Sequence, residues 1–250
     1  MASVNASYSP ALAATYLPLY RQIKRLIVAG LESGEWRPGD AIPSEVELAT
    51  RFGVSQGTVR KAIDELASAN LLVRRQGKGT YVATHSEPHA QFRFLRLRPL
   101  DGNSQQPETT LIECRKIRAS SEAARALGLK SGEGVIMLRR LLALGGVSTV
   151  MDEISLPASI FKGLSANRIN NYQGSLYNFF EAEFGTRMIR ADERIRAVLA
   201  GATIAKWLGI DAGVPILCVD RVTFTYGDRP VEFCRGFYRT DQHYYANTLF

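Results

Sequence analysis

The sequence predicts an α+β protein in two parts, and three observations support this division. Helical periodicity dominates residues 1–83, whereas runs typical of β-strands appear afterwards, at 92–98, 134–144, 215–226 and 230–239. A polar segment that contains proline, THSEPHAQ at 84–91, separates the two regions and is the predicted linker. We therefore predict domains at 14–83 and 92–250, with a disordered arm over residues 1 to about 13.

Charge and cysteine content narrow the class of protein. The chain has 31 Lys and Arg against 24 Asp and Glu, and this net charge of +7 favours a polyanionic partner. The cysteines at 114, 218 and 234 are far apart and predict neither a disulfide framework nor a zinc site. No run approaches the roughly 20 apolar residues that cross a bilayer, and the N-terminal residues lack the blocks of a secretion signal. We expect a cytoplasmic protein with no membrane partner, metal or cofactor.

Two helices are predicted before residue 53. The first spans 18–31, with Pro18 at its first position and an apolar face made of Tyr20, Ile23, Ile27 and Leu31. Ser44 and Glu47 form a capping box that starts the second helix, which ends near Phe52. Its side chains available for packing are Val46, Leu48 and Ala49.

A third helix follows a short turn, in which Gly53 can adopt a positive φ and Ser55 can cap the helix. Its core face holds Val59, Ala62, Ile63 and Leu66. Its other face and its first turn hold Gln56, Gly57, Thr58, Arg60, Lys61 and Asp64. This order predicts a helix-turn-helix, whose second helix presents N-terminal residues to base edges in the major groove.

Gly57 lies in the first turn of that helix, where glycine costs about 1 kcal/mol of helix stability. One explanation is that the helix N-terminus, with unpaired amides and a positive dipole, approaches a DNA phosphate closely at this residue. The other is a crowded contact with the second helix. We favour the first explanation.

Residues 71–82 predict a small hairpin with two glycines at its tip, 76–79. Such a wing can place its backbone and Lys78 along a minor groove or a phosphate ridge, and a solvated surface hairpin is the alternative. Residues 54–82 hold five basic residues against two acidic ones. If all five met phosphates in both subunits of a dimer, the log–log salt dependence of DNA binding would have a slope of about −9.

An internal repeat is visible in the second region. With a shift of 81 residues, residues 123–140 align with 204–221 of the run 203–221, and Gly128 falls on Gly209 and Arg140 on Arg221. Both copies continue into a strand with an acid, Glu153 and Glu232. We infer two helix-and-hairpin units whose cleft could hold a ligand, with chance similarity between two glycine-capped helices as the alternative.

The motifs together resemble a known family. The runs PLYRQIKRLI, RPGDAIPSEVELATRFGVSQGTVRKAIDEL and LLVRRQGKGTYVA resemble the winged helix-turn-helix domain of GntR-family bacterial transcription regulators. The runs MDEISLP, GSLYNFFEAEFG, DERIRAVLA, AKWLGIDAGVPILCVDR and PVEFCRGFYRTDQHYY resemble the UTRA effector-binding domain of the HutC-type branch. The resemblance implies a chorismate-lyase-like domain with an antiparallel sheet, a homodimer, double-stranded operator DNA as partner and a small-molecule effector. A repressor, associated with the nucleoid when bound to DNA, is expected.

The resemblance places DNA contacts at Ser55, Thr58 and Arg60 and at Gly77 in the wing. With their exposed or basic neighbours, the predicted DNA-binding residues are Ser44, Ser55, Gln56, Gly57, Thr58, Arg60, Lys61, Arg74, Arg75, Gly77 and Lys78. Val46 and Gln56 depart from the family pattern, in which arginine is frequent at both positions. Arginine favours guanine and glutamine suits adenine, so a different operator preference is predicted at the Gln56 position.

The resemblance also places effector contacts at Arg140, Glu153, Ser175, Tyr177, Glu232 and Tyr238. Arginine can hold a carboxylate or a phosphate, while acids and hydroxyls accept or donate to polar groups of a ligand. Structural roles are open as well: Arg140 could pair with Glu153, Tyr177 could be core and Ser175 could only start a helix. Leu142 stands where phosphosugar-binding members carry a second arginine. This favours an organic acid or an amino-acid-related metabolite over a phosphosugar, and other sugar derivatives stay open.

An enzyme and a non-specific architectural DNA protein are the alternative classes. The likeness to chorismate lyase keeps an enzyme open, but no nucleophile, base and orienting group come together. The histidines at 85, 89 and 243 have no carboxylates at metal-ligand spacing. An architectural protein would not explain a second domain with converging polar residues. We predict a sequence-specific, ligand-modulated transcription regulator without catalytic residues.

Overall fold

The computed structural model describes residues 17–86, 94–103, 106–130 and 132–247, and the chain divides into two compact units after Ala83. The predicted N-terminal arm and residues 87–91 of the predicted linker lie outside the described residues. Within the described ranges, no helix has the length and apolar character needed to cross a bilayer.

The first unit is a three-helix domain with a hairpin. Its elements are α1 Leu19–Ser33, α2 Glu45–Phe52, α3 Gln56–Ser68, β1 Leu72–Arg75 and β2 Gly79–Val82. All four predicted core residues of α3 are fully buried, as are Ile27 and Leu48. Val46 differs from the prediction, because its side chain is 59% exposed, and Pro18 precedes α1 instead of forming its first residue.

The turns of this unit follow the predicted signals. The Ser44 side chain accepts from the Glu47 amide and the Glu47 side chain accepts from the Ser44 amide, which completes the capping box. Gly53 ends α2 with φ 65°, a conformation that favours glycine, and Ser55 caps α3 by accepting from the Thr58 amide. β1 and β2 pair antiparallel with Arg75 opposite Gly79, so the wing is confirmed.

The second unit is built around an antiparallel sheet. Its strands are β3 Leu97–Pro99, β4 Glu108–Arg118, β5 Gly134–Leu144, β6 Val147–Pro157, β7 Arg190–Leu199, β8 Pro215–Phe224, β9 Pro230–Tyr238 and β10 His243–Tyr245. Its helices are α4 Ser121–Leu127, α5 Ala166–Asn170, α6 Leu176–Phe184 and α7 Ala202–Leu208. β3 and β10 form a separate pair, and the main sheet has the order β4-β5-β6-β9-β8-β7.

The sheet order confirms the internal repeat. Each copy is a strand, a helix and a hairpin, and the two copies meet where β6 pairs with β9. Gly128 and Gly209 end the two helices with φ 62° and 63°. The repeat is larger than predicted, because a strand, β4 or β7, precedes each helix.

Helices cover both faces of the sheet. On one face, Ala123 and Leu127 of α4 pack with Phe233 of β9, while Leu208 of α7 packs with Met151 of β6. On the other face, aromatic residues of α6 pack over the middle of the sheet, including Tyr177, Phe179 and Phe180. Each short helix thus lies on a strand of the other copy, and α6 lies opposite.

One predicted strand needs correction, and two observed strands, β4 and β7, were not predicted. The run 92–98 was predicted to be extended, but 92 and 93 lie outside the described residues and only Leu97–Pro99 forms a strand. β4 and β7 carry little apolar alternation because both are edge strands with mostly exposed or half-buried residues. Periodicity therefore gave no signal for them.

Candidate DNA-binding surface and effector cavity

The predicted DNA-binding residues lie on the surface of the first unit. Thr58 is half-buried, and the other ten are exposed. Three of them lie at the start of α3 and two at the wing turn, where Gly77 has φ 68°. The Thr58 hydroxyl lies 2.9 Å from the Ser55 hydroxyl, so one of the pair can donate outward.

The position of Gly57 decides between its two explanations. A Cβ built on Gly57 would meet only the Ser55 Oγ, at 3.9 Å, which is an ordinary contact. No atom of α2 lies near enough to crowd it. The structure therefore excludes the packing explanation, and a close approach by DNA remains the hypothesis.

A carboxylate of α2 joins α3, the predicted recognition helix, to the wing. Glu45 accepts from Arg60 Nε at 2.9 Å, from Arg74 Nη2 at 2.9 Å and from Gln56 Nε2 at 3.3 Å. Arg74 also donates to Asp64, from Nη2 at 2.7 Å. Burial alone would raise the pKa of Glu45, but the hydrogen bonds from Arg74 and Arg60 outweigh it and hold the pKa below its usual value. Two of the five basic residues in the predicted charge balance are thus neutralised, so we expect a salt slope shallower than about −9.

The second unit contains a cavity of about 440 Å³ between the sheet and the start of α6. Four of the six predicted effector residues line it, namely Arg140, Ser175, Tyr177 and Tyr238. Leu142 also lines it and is buried. The volume suits a small metabolite.

Arg140 pairs with Asp152, and not with Glu153. Its Nε donates to Asp152 Oδ2 at 2.9 Å, its Nη2 forms an ion pair with the same oxygen at 2.9 Å, and the two side chains are 13% and 3% exposed. Burial opposes the charge of Arg140, but Asp152 outweighs this effect and raises the pKa of the guanidinium. The other carboxylate oxygen, Asp152 Oδ1, is buried and accepts no hydrogen bond from any described residue.

Glu153 and Glu232 lie outside the cavity wall, which corrects two predicted positions. Glu153 is on the opposite face of the sheet, where its Oε1 accepts from Arg139 at 2.8 Å, because successive strand residues alternate between faces. Glu232 lies behind Tyr177 and accepts from the Tyr177 hydroxyl at 2.8 Å and from Thr223 at 3.0 Å. Burial raises the pKa of Glu232, and these hydrogen bonds and nearby arginines only partly offset it.

Ser175 and Tyr177 have structural roles as well as cavity positions. Ser175 caps α6, because its side chain accepts from the Asn178 amide at 3.2 Å. Tyr177 is part of the aromatic core. The positive end of the α6 dipole thus faces the same space as Arg140.

Arg221 and Asp152 line the cavity but were not predicted to do so. The repeat contained a signal for Arg221, because it aligns with Arg140. Arg221 donates from Nε to Glu193 at 2.6 Å and from Nη2 to the Phe94 carbonyl at 2.6 Å. Two of the guanidinium nitrogens of Arg221 therefore already donate to groups of the protein.

The first residues of the predicted linker are attached to α6. Thr84 donates its hydroxyl to Glu181, the His85 amide donates to both Glu181 oxygens at 3.2 and 3.1 Å, and Ser86 donates to Asn178 at 3.0 Å. His85 is 1% exposed. Residues 84–86 thus belong to the second unit, and α6 carries both cavity residues and this connector.

The described residues contain no cluster of three or more His, Cys, Asp or Glu side chains able to hold a metal ion.

A winged helix-turn-helix followed by a domain with a metabolite-sized cavity defines a ligand-controlled DNA-binding regulator. The UTRA domain family matches residues 102–244, and the family of bacterial regulatory proteins named gntR matches residues 19–82. The chain belongs to the GntR family of bacterial transcription regulators, and its second domain is a UTRA domain. It binds operator DNA and a small-molecule effector, and it is not an enzyme.

Several proteins are similar to the chain along most of their length. The HTH-type transcriptional repressor NagR of Bacillus subtilis strain 168 is 26% identical over 237 residues, which cover 93% of this chain and 95% of that protein. A solved ligand-binding domain of a GntR-family regulator from Bordetella bronchiseptica is 46% identical, covers 64% of this chain and 99% of its own, and has a TM-score of 0.62. PhnF from Mycobacterium smegmatis is 28% identical, covers 91% of this chain and 99% of its own, and has a TM-score of 0.53.

Proposed function

We propose that this protein is a repressor that binds a nearly palindromic operator as a homodimer and responds to a small anionic metabolite. Relatives such as NagR are named repressors, which supports the direction of regulation. A two-fold dimer presents two recognition helices about one DNA turn apart and therefore requires two half-sites of opposite orientation.

The class of effector follows from one arrangement in the cavity. Arg140 and the positive end of α6 favour an anionic group, and the buried Asp152 Oδ1 beside Arg140 lacks a donor among the described residues. A ligand with a carboxylate next to a hydroxyl or an ammonium group satisfies both. Leu142, buried in the cavity wall two residues from Arg140, supplies no charge for a phosphate there, and Arg221 is already engaged by Glu193 and the Phe94 carbonyl. We therefore favour a hydroxy acid or an amino-acid-related metabolite.

The route from effector to operator runs along α6 in this proposal. A ligand that contacts Ser175 or Tyr177 acts on the start of α6, and Glu181 and Asn178 hold Thr84–Ser86 further along the same helix. Ala83, the last residue of the DNA-binding unit, directly precedes this connector. A displacement of α6 would therefore pull on the chain that leads into the wing.

A thermal-shift screen of carboxylates, hydroxy acids, amino acids and phosphosugars tests the effector class. A ligand at 100 times its Kd adds about 2.7 kcal/mol to the unfolding free energy, or about 5–11 °C for a domain of this size. We expect a hit among hydroxy or amino acids, with no shift in Arg140→Met. Hits confined to phosphosugars would contradict the assignment.

A metabolite that stabilises the protein in this screen also tests the proposed connection through α6. Glu181→Gln should keep its affinity for the hit but reduce the change in operator affinity that the hit produces, because the connector is held less tightly. Glu183→Gln is the matched control on α6, since Glu183 pairs with Arg168 at the surface, at 2.6 Å. Equal ligand responses in both variants and the wild type would exclude α6 as the route.

A further inference from the structure

The carboxylate of Glu45 occupies an unusual place, because an acid lies among residues proposed to meet a polyanion. Its side chain is 13% exposed, compared with 57% for Arg60 and 42% for Arg74. The donors reach it from positions 11, 15 and 29 residues along the chain, so the cluster depends on the folded domain and not on local sequence. Negative charge at a DNA surface weakens attraction to phosphates. An acid at this position therefore implies a compensating role for Glu45.

The first role of Glu45 is to fix the conformations of the side chains that donate to it. Arginine and glutamine side chains have many rotamers in solution, and fixing them on binding DNA lowers affinity. Glu45 holds Arg60 and Gln56 of the recognition helix and Arg74 of the wing before any DNA is present. Because one Gln56 N–H points to Glu45, the orientation of the amide is also set, and adenine recognition requires a particular orientation of that amide.

The second role of Glu45 is to neutralise positive charge on this surface. Arg60 and Arg74 are balanced by Glu45 and Asp64, so these four groups together attract phosphates weakly. Non-specific binding consists largely of phosphate attraction, whereas specific binding adds base contacts. An acid that offsets a guanidinium therefore lowers affinity for all DNA, and the ordered side chains restore affinity only where the bases match.

We propose that Glu45 is a specificity-determining residue of the DNA-binding domain, which orders Arg60, Gln56 and Arg74 for the operator and suppresses binding to other DNA. This inference rests on the proposed DNA-contact surface. It assigns Glu45 a role beyond its place in the first turn of α2.

The test compares full-length variants on two duplexes, an operator selected in vitro with the wild type and an unrelated duplex of equal length, over a range of salt concentrations. Glu45→Gln should bind the unrelated duplex about tenfold more tightly near 0.1 M salt, with a log–log slope steeper by about 2 for a dimer, because one guanidinium per subunit is released. The ratio of specific to non-specific affinity should fall about tenfold. Glu47→Gln, which removes an acid from the same helix turn without touching α3 or the wing, should change each value less than threefold.

Two further variants make the outcomes distinguishable. Glu45→Asp keeps the charge but shortens the reach, so it should keep the wild-type salt slope and lose specificity; it also replaces Glu45→Gln if that variant does not fold. Arg60→Ala tests the surface itself and should lose operator affinity. If Arg60→Ala loses operator binding while both Glu45 variants match the wild type, the role of Glu45 is overturned. If Arg60→Ala keeps full operator affinity, the proposed contact surface is wrong, and the inference with it.

Discussion

Asp152→Asn should destabilise the second domain strongly, because it leaves the Arg140 charge buried without its partner. The Arg140 side chain is 13% exposed, that of Asp152 is 3% exposed, and they are joined by a hydrogen bond from Arg140 Nε and an ion pair from Nη2, both at 2.9 Å. Removal of one partner from a buried pair costs about 3–5 kcal/mol. For a domain of this size that loss lowers Tm by about 6–20 °C. Thermal and urea unfolding of the full-length protein would measure it.

The next residue along β6 provides a matched control. Glu153 pairs with Arg139 on the opposite face, where the two side chains are 35% and 37% exposed, and such a pair contributes at most about 1 kcal/mol. Glu153→Gln should therefore change Tm by only a few degrees, about 4 °C at most. The double variant Arg140→Met/Asp152→Leu should recover much of the loss, because it leaves no buried charge. Equal effects of Asp152→Asn and Glu153→Gln would refute the assignment of one acid to each face.

Three further predictions concern Glu232, Gln56 and Gly57. Because burial raises the pKa of Glu232 above its ordinary 4.5, the folded domain keeps this proton over a pH range in which the unfolded chain has lost it. Its contribution to the unfolding free energy therefore falls as pH rises through that range, and urea unfolding of Glu232→Gln should lack this part of the pH dependence. Gln56→Arg should move the preferred base towards guanine, by about 1–3 kcal/mol per contact, in an in vitro selection, and an unchanged selected sequence would contradict the contact. Gly57→Leu should unfold with a free energy equal to or about 1 kcal/mol above the wild type while it loses operator affinity, so retained affinity would remove the phosphate explanation.

Local signals predicted the first domain almost completely. Capping residues such as Ser44 and Ser55 and the positive φ of Gly53 act within a few residues, so their effect can be read from the sequence. Val46 was the exception, because an apolar residue on a short helix can face either the core or solvent, and here it is exposed. The Glu45 cluster could not be seen, since its donors come from α3 and from β1.

The residues that line the candidate effector cavity were predicted only in part. Four of the residues predicted from the resemblance, Arg140, Ser175, Tyr177 and Tyr238, line one cavity. The resemblance selected the wrong one of two adjacent acids, because a shift of one residue along a strand moves a side chain to the other face of the sheet. Asp152, and not Glu153, lies on the cavity side. The attachment of Thr84–Ser86 to α6 depends on Glu181, almost 100 residues away, so the composition of the segment indicated only a linker.

The packing between the two repeat copies limits which parts of the second domain can move. Since α4 rests on β9 and α7 rests on β6, separating the two copies would expose Phe233 and Met151, both buried, to water. The two copies therefore hold each other in place, and separation of β6 from β9 at the centre of the sheet is disfavoured. Under the proposed function, a metabolite in the cavity therefore contacts a sheet that resists separation on one side, and its binding energy would act on α6, which closes the other side.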